Sequence, residues 1–166
     1  MTSKERWLWW GASGTGAASM LHLAIIFGGP DWYRFFGAGE GMARLSARGS
    51  AYPTVLSACI AAILALWALY ALSGARVIRR LPLLRPALAL IAGIYFARGI
   101  LGIPAVLFVK HPYAEELKGR MIFMAVSSLI CLFLGVCYAF GAARPWRRPG
   151  QTGTGVGPKT FKGGSQ

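Results

Sequence analysis

The chain has few of the residues from which catalytic and metal-binding sites are built. Its 166 residues include five acidic residues, two histidines, three cysteines and no asparagine. Cys59, Cys131 and Cys137 form no C-x-x-C pair, so the sequence supports neither a thiol redox motif nor a cysteine metal site. His111 lies in a predicted loop and makes a poor haem pair with His22. We therefore predict no metal and no cofactor.

Acidic residues are also absent from the long apolar stretches of the sequence. This gives no support to a carrier that exchanges protons through an intramembrane glutamate. The lack of asparagine argues against the four-helix glutathione-transferase-like membrane enzymes, whose signatures combine arginine, asparagine and glutamate. These absences favour a role other than catalysis, and a membrane enzyme that acts on lipid is the remaining alternative.

Long apolar stretches, by contrast, make up most of the chain. Apolar residues account for 55% of the sequence and charged residues for 14%, whereas a soluble domain carries about 25% charge. A helix needs roughly 20 apolar residues to cross a hydrocarbon core ~30 Å thick. The sequence therefore predicts an all-α polytopic membrane protein, a four-transmembrane-helix up-down bundle within residues 1–148, with helices at about 7–27, 52–72, 86–109 and 121–143.

The segments between and after these stretches complete the predicted architecture. The 73–85 and 110–120 loops are short, so they join antiparallel neighbours. Residues 149–166 are rich in glycine, threonine and proline and have no apolar periodicity. We predict that they form a disordered cytoplasmic tail.

The formal net charge of +13 would suggest a nucleic-acid partner in a soluble protein. Here the basic residues flank the apolar stretches, so we predict contacts to membrane lipids, including anionic head groups at the cytoplasmic face, and no nucleic acid. Most cations fall in the N-terminus, the 73–85 loop and the tail, which places both termini in the cytoplasm. The high alanine, glycine and arginine content, without asparagine, suggests a GC-rich bacterial genome and hence the inner membrane.

Arg98 is the one charged residue inside the apolar stretches. A charge at that depth costs about 2.5–3.5 kcal/mol, and Tyr95 lies three residues away on the same helix face. We predict an outward-facing polar cavity around Arg98 that binds a small anionic or polar ligand or a lipid head group. The other predicted lining residues are Ser19, His22, Ser57, Ser127 and Ser128. The candidate carboxylate partners in the outer loops are Asp31, Glu40, Glu115 and Glu116.

Two other interpretations of Arg98 stay open at this point. In one, its guanidinium pairs with an outer carboxylate and locks the bundle. In the other, it lies in an interface between subunits.

The stretch GPDWYRFFGAGE at residues 29–40, with RRLPLLR at 79–85, resembles uncharacterised small four-helix bacterial inner-membrane proteins. The resemblance covers about residues 15–143 and implies no activity. The first functional hypothesis is an accessory or interaction protein, and the predicted partners are a second copy of the chain, in a homo-oligomer, or another membrane protein. The second is a ligand-binding or transport module built around Arg98.

Overall fold

The computed structural model describes residues 3–108 and 121–143, and the chain is helical over most of these two ranges. This confirms the predicted all-α class, and the four long helices coincide with the four apolar stretches. Two further short helices lie between the first and second of them. The helices are α1 (Ser3–Gly28), α2 (Pro30–Phe35), α3 (Glu40–Ala47), α4 (Tyr52–Gly74), α5 (Leu84–Phe108) and α6 (Met121–Ala143).

Three segments are long and apolar enough to cross a membrane: Tyr52–Gly74, Leu84–Gly102 and Ile122–Ala143. They indicate a membrane protein. Helix α1 is equally long, about 39 Å at ~1.5 Å per residue, but it is less apolar than the other three. Its first turn contains the charged residues Lys4, Glu5 and Arg6. The rest of the helix contains serines, Thr15 and His22, and together these residues account for that difference.

Helix α1 packs between α4 and α6 and runs antiparallel to both. The side chain of Leu8, near the start of α1, lies against Gly74 and Gly141, near the ends of α4 and α6. Helix α5 runs antiparallel to α6, because Gly102 of α5 lies against Ser128 of α6, whereas Phe96, earlier in α5, lies against Gly135, later in α6. The start of α1 and the end of α6 therefore lie at one end of the molecule, here called the terminal end.

All four long helices contribute to one core. Leu8, Leu88, Leu134 and Tyr138 are buried within it. The most extensive helix contacts are between α1 and α4 and between α5 and α6. Many large apolar side chains elsewhere on these helices are exposed, as expected of surfaces that face lipid. Helices α4 and α5 touch over a shorter length, where the Trp67 and Tyr95 rings meet edge to face at 5.4 Å.

Helices α2 and α3 fold over the other end of the molecule and are here called the cap. Each is followed by a glycine at positive φ, Gly37 (75°) and Gly49 (73°), a conformation that costs glycine little. Tyr33 of α2 is 1% exposed and packs with Ile25 and Ala43 in a second, smaller core. The cap is thus fixed to the end of α1 by its own apolar contacts.

A buried hydroxyl organises the connection from α4 to α5. Ser73 is fully buried, and its Oγ donates a hydrogen bond to the Arg79 carbonyl (3.0 Å) and accepts one from the Leu81 N–H (2.9 Å). This single side chain sets the course of the loop. The second short loop, the carboxylates of Glu115 and Glu116 and the predicted tail at 149–166 lie outside the described residues.

Two glycines of α1 provide a matched test of this packing. A Cβ at Gly14 would lie 2.7 Å from Leu134 Cδ2, whereas a Cβ at Gly16 would meet nothing within 4 Å. We expect Gly14→Ala to lower the free energy of unfolding by about 1–3 kcal/mol through overpacking. Gly16→Ala should raise it by up to about 1 kcal/mol through helix propensity. Unfolding in mixed micelles measures both, and equal effects would contradict the packing described for α1.

Candidate functional site

The Arg98 side chain is exposed on α5 and runs along the helix toward the cap end. Its Nη1 lies so close to the Cβ position of Gly102 that a side chain there would clash with it. Long helical side chains usually lean toward the helix N-terminus, and Arg98 leans the other way. Gly102 makes this possible because it has no side chain to block the path of the guanidinium.

Ser128 of α6 borders the same space. Its Oγ lies 3.0 Å from the Cβ position of Gly102, and the residue is 3% exposed. Among the described residues this Oγ has no hydrogen-bond partner. A guanidinium and a buried, unsatisfied hydroxyl therefore converge at Gly102, and we call these three residues the Arg98 site.

The predicted outer carboxylates that the structure describes are engaged elsewhere. Arg34 binds Asp31 through Nη1 (2.8 Å) and binds both oxygens of Glu40, at 2.8 Å from Nε and 3.2 Å from Nη2. Arg44 Nε lies 3.1 Å from Glu40 Oε1. Within residues 3–108 and 121–143, no salt bridge joins Arg98 to a carboxylate.

These ion pairs also set the protonation of the cap. Hydrogen bonds from Arg34, and then from Arg44, lower the pKa of Glu40 from its ordinary 4.5 to about 2. The same bonds to Glu40 and Asp31 raise the pKa of Arg34 above its usual range. Glu40 is thus ionised under ordinary conditions and ties the start of α3 to α2.

Tyr95 belongs to a polar cluster in the core and not to the Arg98 site. Its hydroxyl lies 3.0 Å from Thr15 Oγ1. The Tyr138 hydroxyl lies 3.1 Å from the same Oγ1 and 3.0 Å from the Trp67 carbonyl oxygen. The cluster links α1, α4, α5 and α6. Thr15 and Tyr138 were not singled out from the sequence, because nothing in the apolar pattern marks which hydroxyls meet.

Each of the remaining predicted lining residues makes a hydrogen bond of its own, away from Arg98. Ser19 Oγ donates to the Ala61 carbonyl at 2.8 Å, and Ser57 Oγ lies 3.4 Å from the Tyr33 hydroxyl. Two bonds stay within a helix. They join His22 Nδ1 to the Ala18 carbonyl (2.8 Å) and Ser127 Oγ to the Met124 carbonyl (3.1 Å).

Of the predicted site residues, the structure therefore brings Arg98 and Ser128 together and distributes the others. Gly102, the third member of the Arg98 site, was not identified from the sequence, although its place four residues after the only intramembrane charge was a usable signal. In the described ranges no three His, Cys, Asp or Glu side chains form a group that could hold a metal ion.

No protein-family model, curated protein or solved structure matches this chain. The resemblance to uncharacterised four-helix membrane proteins stays a prediction. The class of protein is therefore defined by its own residues, as a helical membrane protein with an arginine exposed on an apolar helix.

Glu40 makes the stability of the cap pH-dependent. Since its folded pKa lies below its ordinary value, its contribution is complete above about pH 5 and is lost as the pH falls toward 2. We expect hydrogen exchange in residues 30–47, corrected for intrinsic rates, to accelerate over that range. In Glu40→Gln, hydrogen exchange in these residues should already be fast at pH 7 and should no longer accelerate as the pH falls.

Asp31→Asn is the control for this measurement. The Asp31 side chain is 89% exposed and is joined to Arg34 by one bond, so we expect a much smaller change. Equal effects of the two substitutions would contradict the central place of Glu40 in the cap.

Proposed function

We propose that this chain is a four-span protein of the bacterial inner membrane, with both termini in the cytoplasm. In this proposal it acts as an accessory or interaction protein that holds an anionic membrane component at Arg98. The exposed guanidinium beside the unsatisfied Ser128 hydroxyl is the observation that carries this function.

The packing of α1 supports a fourth span. Helix α1 contacts α4 and α6 from Leu8, near the terminal end, to Ser19, whose hydroxyl bonds to Ala61 in the half of α4 nearer the cap. A helix that lies along two membrane-spanning helices crosses the same layer. Thr15, Ser19 and His22 each have a hydrogen-bond partner within the protein, which removes most of the cost of placing them in hydrocarbon.

The distribution of charge supports the orientation. At the terminal end the 73–85 segment carries Arg76, Arg79, Arg80 and Arg85. Lys4 and Arg6 at the start of α1 add to that count, whereas the described part of the cap end carries three cations, Arg34, Arg44 and Arg48. The positive-inside rule counts lysine and arginine near the ends of the spans, so the terminal end is assigned to the cytoplasm.

The surroundings of Arg98 support an anionic partner within the membrane. A charge at mid-membrane depth costs about 2.5–3.5 kcal/mol, and an anion beside the guanidinium offsets that cost. Ile94 and Leu101, which share a face of α5 with Arg98, are 42% and 60% exposed. A component that binds here meets one positive charge within an apolar surface.

A ligand-binding or transport module with an outward-facing polar cavity is the second candidate. The unpartnered Oγ of Ser128 favours it. The bonds already made by Ser19 and Ser57 leave fewer free hydroxyls for a wide cavity.

Cysteine labelling tests the orientation. In a chain whose native cysteines are replaced by alanine, Ala47→Cys lies on the cap and Val77→Cys at the terminal end, and both positions are exposed. We expect a membrane-impermeant maleimide to label Ala47→Cys in intact spheroplasts and to label Val77→Cys only after permeabilisation. The reverse pattern would overturn the assignment of the termini.

A photo-crosslinker in place of Leu101 tests the interaction surface. Leu101 is exposed beside Arg98 on α5. We expect a discrete adduct in native membranes, whose yield falls at least about fivefold with Arg98→Gln because the charge-assisted contact is lost. Arg48→Gln removes an exposed charge from the end of α3 and should leave the yield unchanged. An adduct that is insensitive to Arg98→Gln would refute the proposed function.

A further inference from the structure

We infer that the anionic component held at the Arg98 site is the phosphate of a lipid head group, which the Arg98 guanidinium binds and which reaches the Ser128 hydroxyl when the guanidinium turns away from Gly102. This inference rests on the proposed function and names its ligand. The argument starts from Ser128, because a hydroxyl buried without a hydrogen-bond partner destabilises a fold. Such a group in a native protein calls for an explanation, and a ligand that accepts its proton is one.

The space at Gly102 is bounded by donors from two helices. Arg98 Nη1 lies within clash distance of the Gly102 Cβ position, and Ser128 Oγ lies 3.0 Å from that position. Helix α5 supplies a positive charge and α6 supplies a neutral hydroxyl. Their common complement is an oxyanion, which accepts hydrogen bonds from both sides and neutralises the guanidinium.

The number of acceptor oxygens favours phosphate over carboxylate. A guanidinium binds two oxygens of either anion through its planar fork. A carboxylate held by the fork must accept the Ser128 proton on an oxygen that is already bound, as Glu40 does from Arg34 and Arg44, whereas a lipid phosphodiester also has two ester oxygens that point away from the fork. A phosphate therefore satisfies both donors at the same time without giving up the bidentate contact.

The surroundings favour a lipid as the source of the phosphate. The guanidinium lies at the level of Gly102, about 6 Å nearer the cap end than the Arg98 Cα at ~1.5 Å per residue. It is thus displaced toward the membrane surface, where head groups lie. The exposed apolar side chains of Ile94 and Leu101 lie on the same face of α5 as Arg98 and are suited to contact acyl chains.

Binding to the purified full-length chain tests the inference. In dodecyl maltoside micelles, the rise in Tm with added phosphatidylglycerol gives an apparent Kd. Monogalactosyldiacylglycerol provides acyl chains without phosphate, oleate provides a carboxylate, and inorganic phosphate provides the anion without acyl chains. We expect phosphatidylglycerol to bind at least about tenfold more tightly than each of the others, since charge-assisted hydrogen bonds differ by that order.

Matched variants locate the binding. We expect Arg98→Gln to weaken phosphatidylglycerol binding about tenfold or more and Ser128→Ala about three- to tenfold. Ser127→Ala is the control, because that hydroxyl bonds to Met124 of its own helix. Without lipid, Ser128→Ala should melt no lower than wild type, since it removes an unsatisfied group, and this distinguishes a lost ligand contact from a damaged fold.

Gly102→Ala provides an independent variant that keeps both donors. The new methyl group would lie against Ser128 Oγ as well as the guanidinium, so we expect weaker phosphatidylglycerol binding. Gly93→Ala on the same helix meets nothing within 4 Å and should bind as wild type does.

The inference is overturned if the galactolipid or oleate binds as tightly as phosphatidylglycerol, or if Ser128→Ala and Ser127→Ala behave alike. Equal binding of inorganic phosphate overturns the lipid source. An Arg98-dependent adduct to a protein, without preference for phosphatidylglycerol, overturns this inference and leaves the proposed function intact. An adduct that ignores Arg98→Gln overturns the proposed function itself.

Discussion

The structure depends on one constraint. Inside the bundle, where water is scarce, each polar group requires a hydrogen-bond partner within the protein. Inside the bundle, Thr15, Tyr95 and Tyr138 form one cluster that ends on the Trp67 carbonyl. Ser19 bonds to a neighbouring helix and Ser127 to its own. In an apolar medium an unpaired donor or acceptor is expensive, so these bonds decide which helix faces can meet. Ser128 departs from this rule, and it does so beside the only charged residue of the apolar stretches. That coincidence is the physical basis of the proposed site.

Close contacts at glycine residues are the second feature that determines how the helices pack. Leu8 packs against Gly74 and Gly141, and Leu134 packs against Gly14. Small residues let helices in a membrane approach until side chains of one fill the surface of the other, which replaces the hydrophobic driving force that lipid does not supply. Gly102 uses the same property differently, because the space it leaves open is occupied by a charged side chain of its own helix and not by a neighbour.

The long helices could be predicted from the sequence because length and apolarity alone determine them. The predicted stretch at 121–143 coincides with α6, and the start predicted for α4 at residue 52 is also confirmed. The partners of the hydroxyls could not be predicted. Ser19 and His22 both bond to backbone carbonyls, which every residue has and no pattern distinguishes. Depth in the membrane placed these side chains at one level, but the rotation of each helix decides which of them meet, and this depends on packing. Arg98 could be identified from the sequence because a lone charge stands out in an apolar stretch. Its exposed position on α5 could not be predicted.

The two most extensive helix contacts divide the bundle into an α1–α4 pair, which carries the cap, and an α5–α6 pair. All three residues of the Arg98 site belong to the second pair. A sliding or tilting movement of one pair against the other would therefore leave the anion-binding geometry unaltered. A lipid bound at the site would therefore belong to the α5–α6 half of the molecule, which the Thr15, Tyr95 and Tyr138 hydroxyls join to the other half.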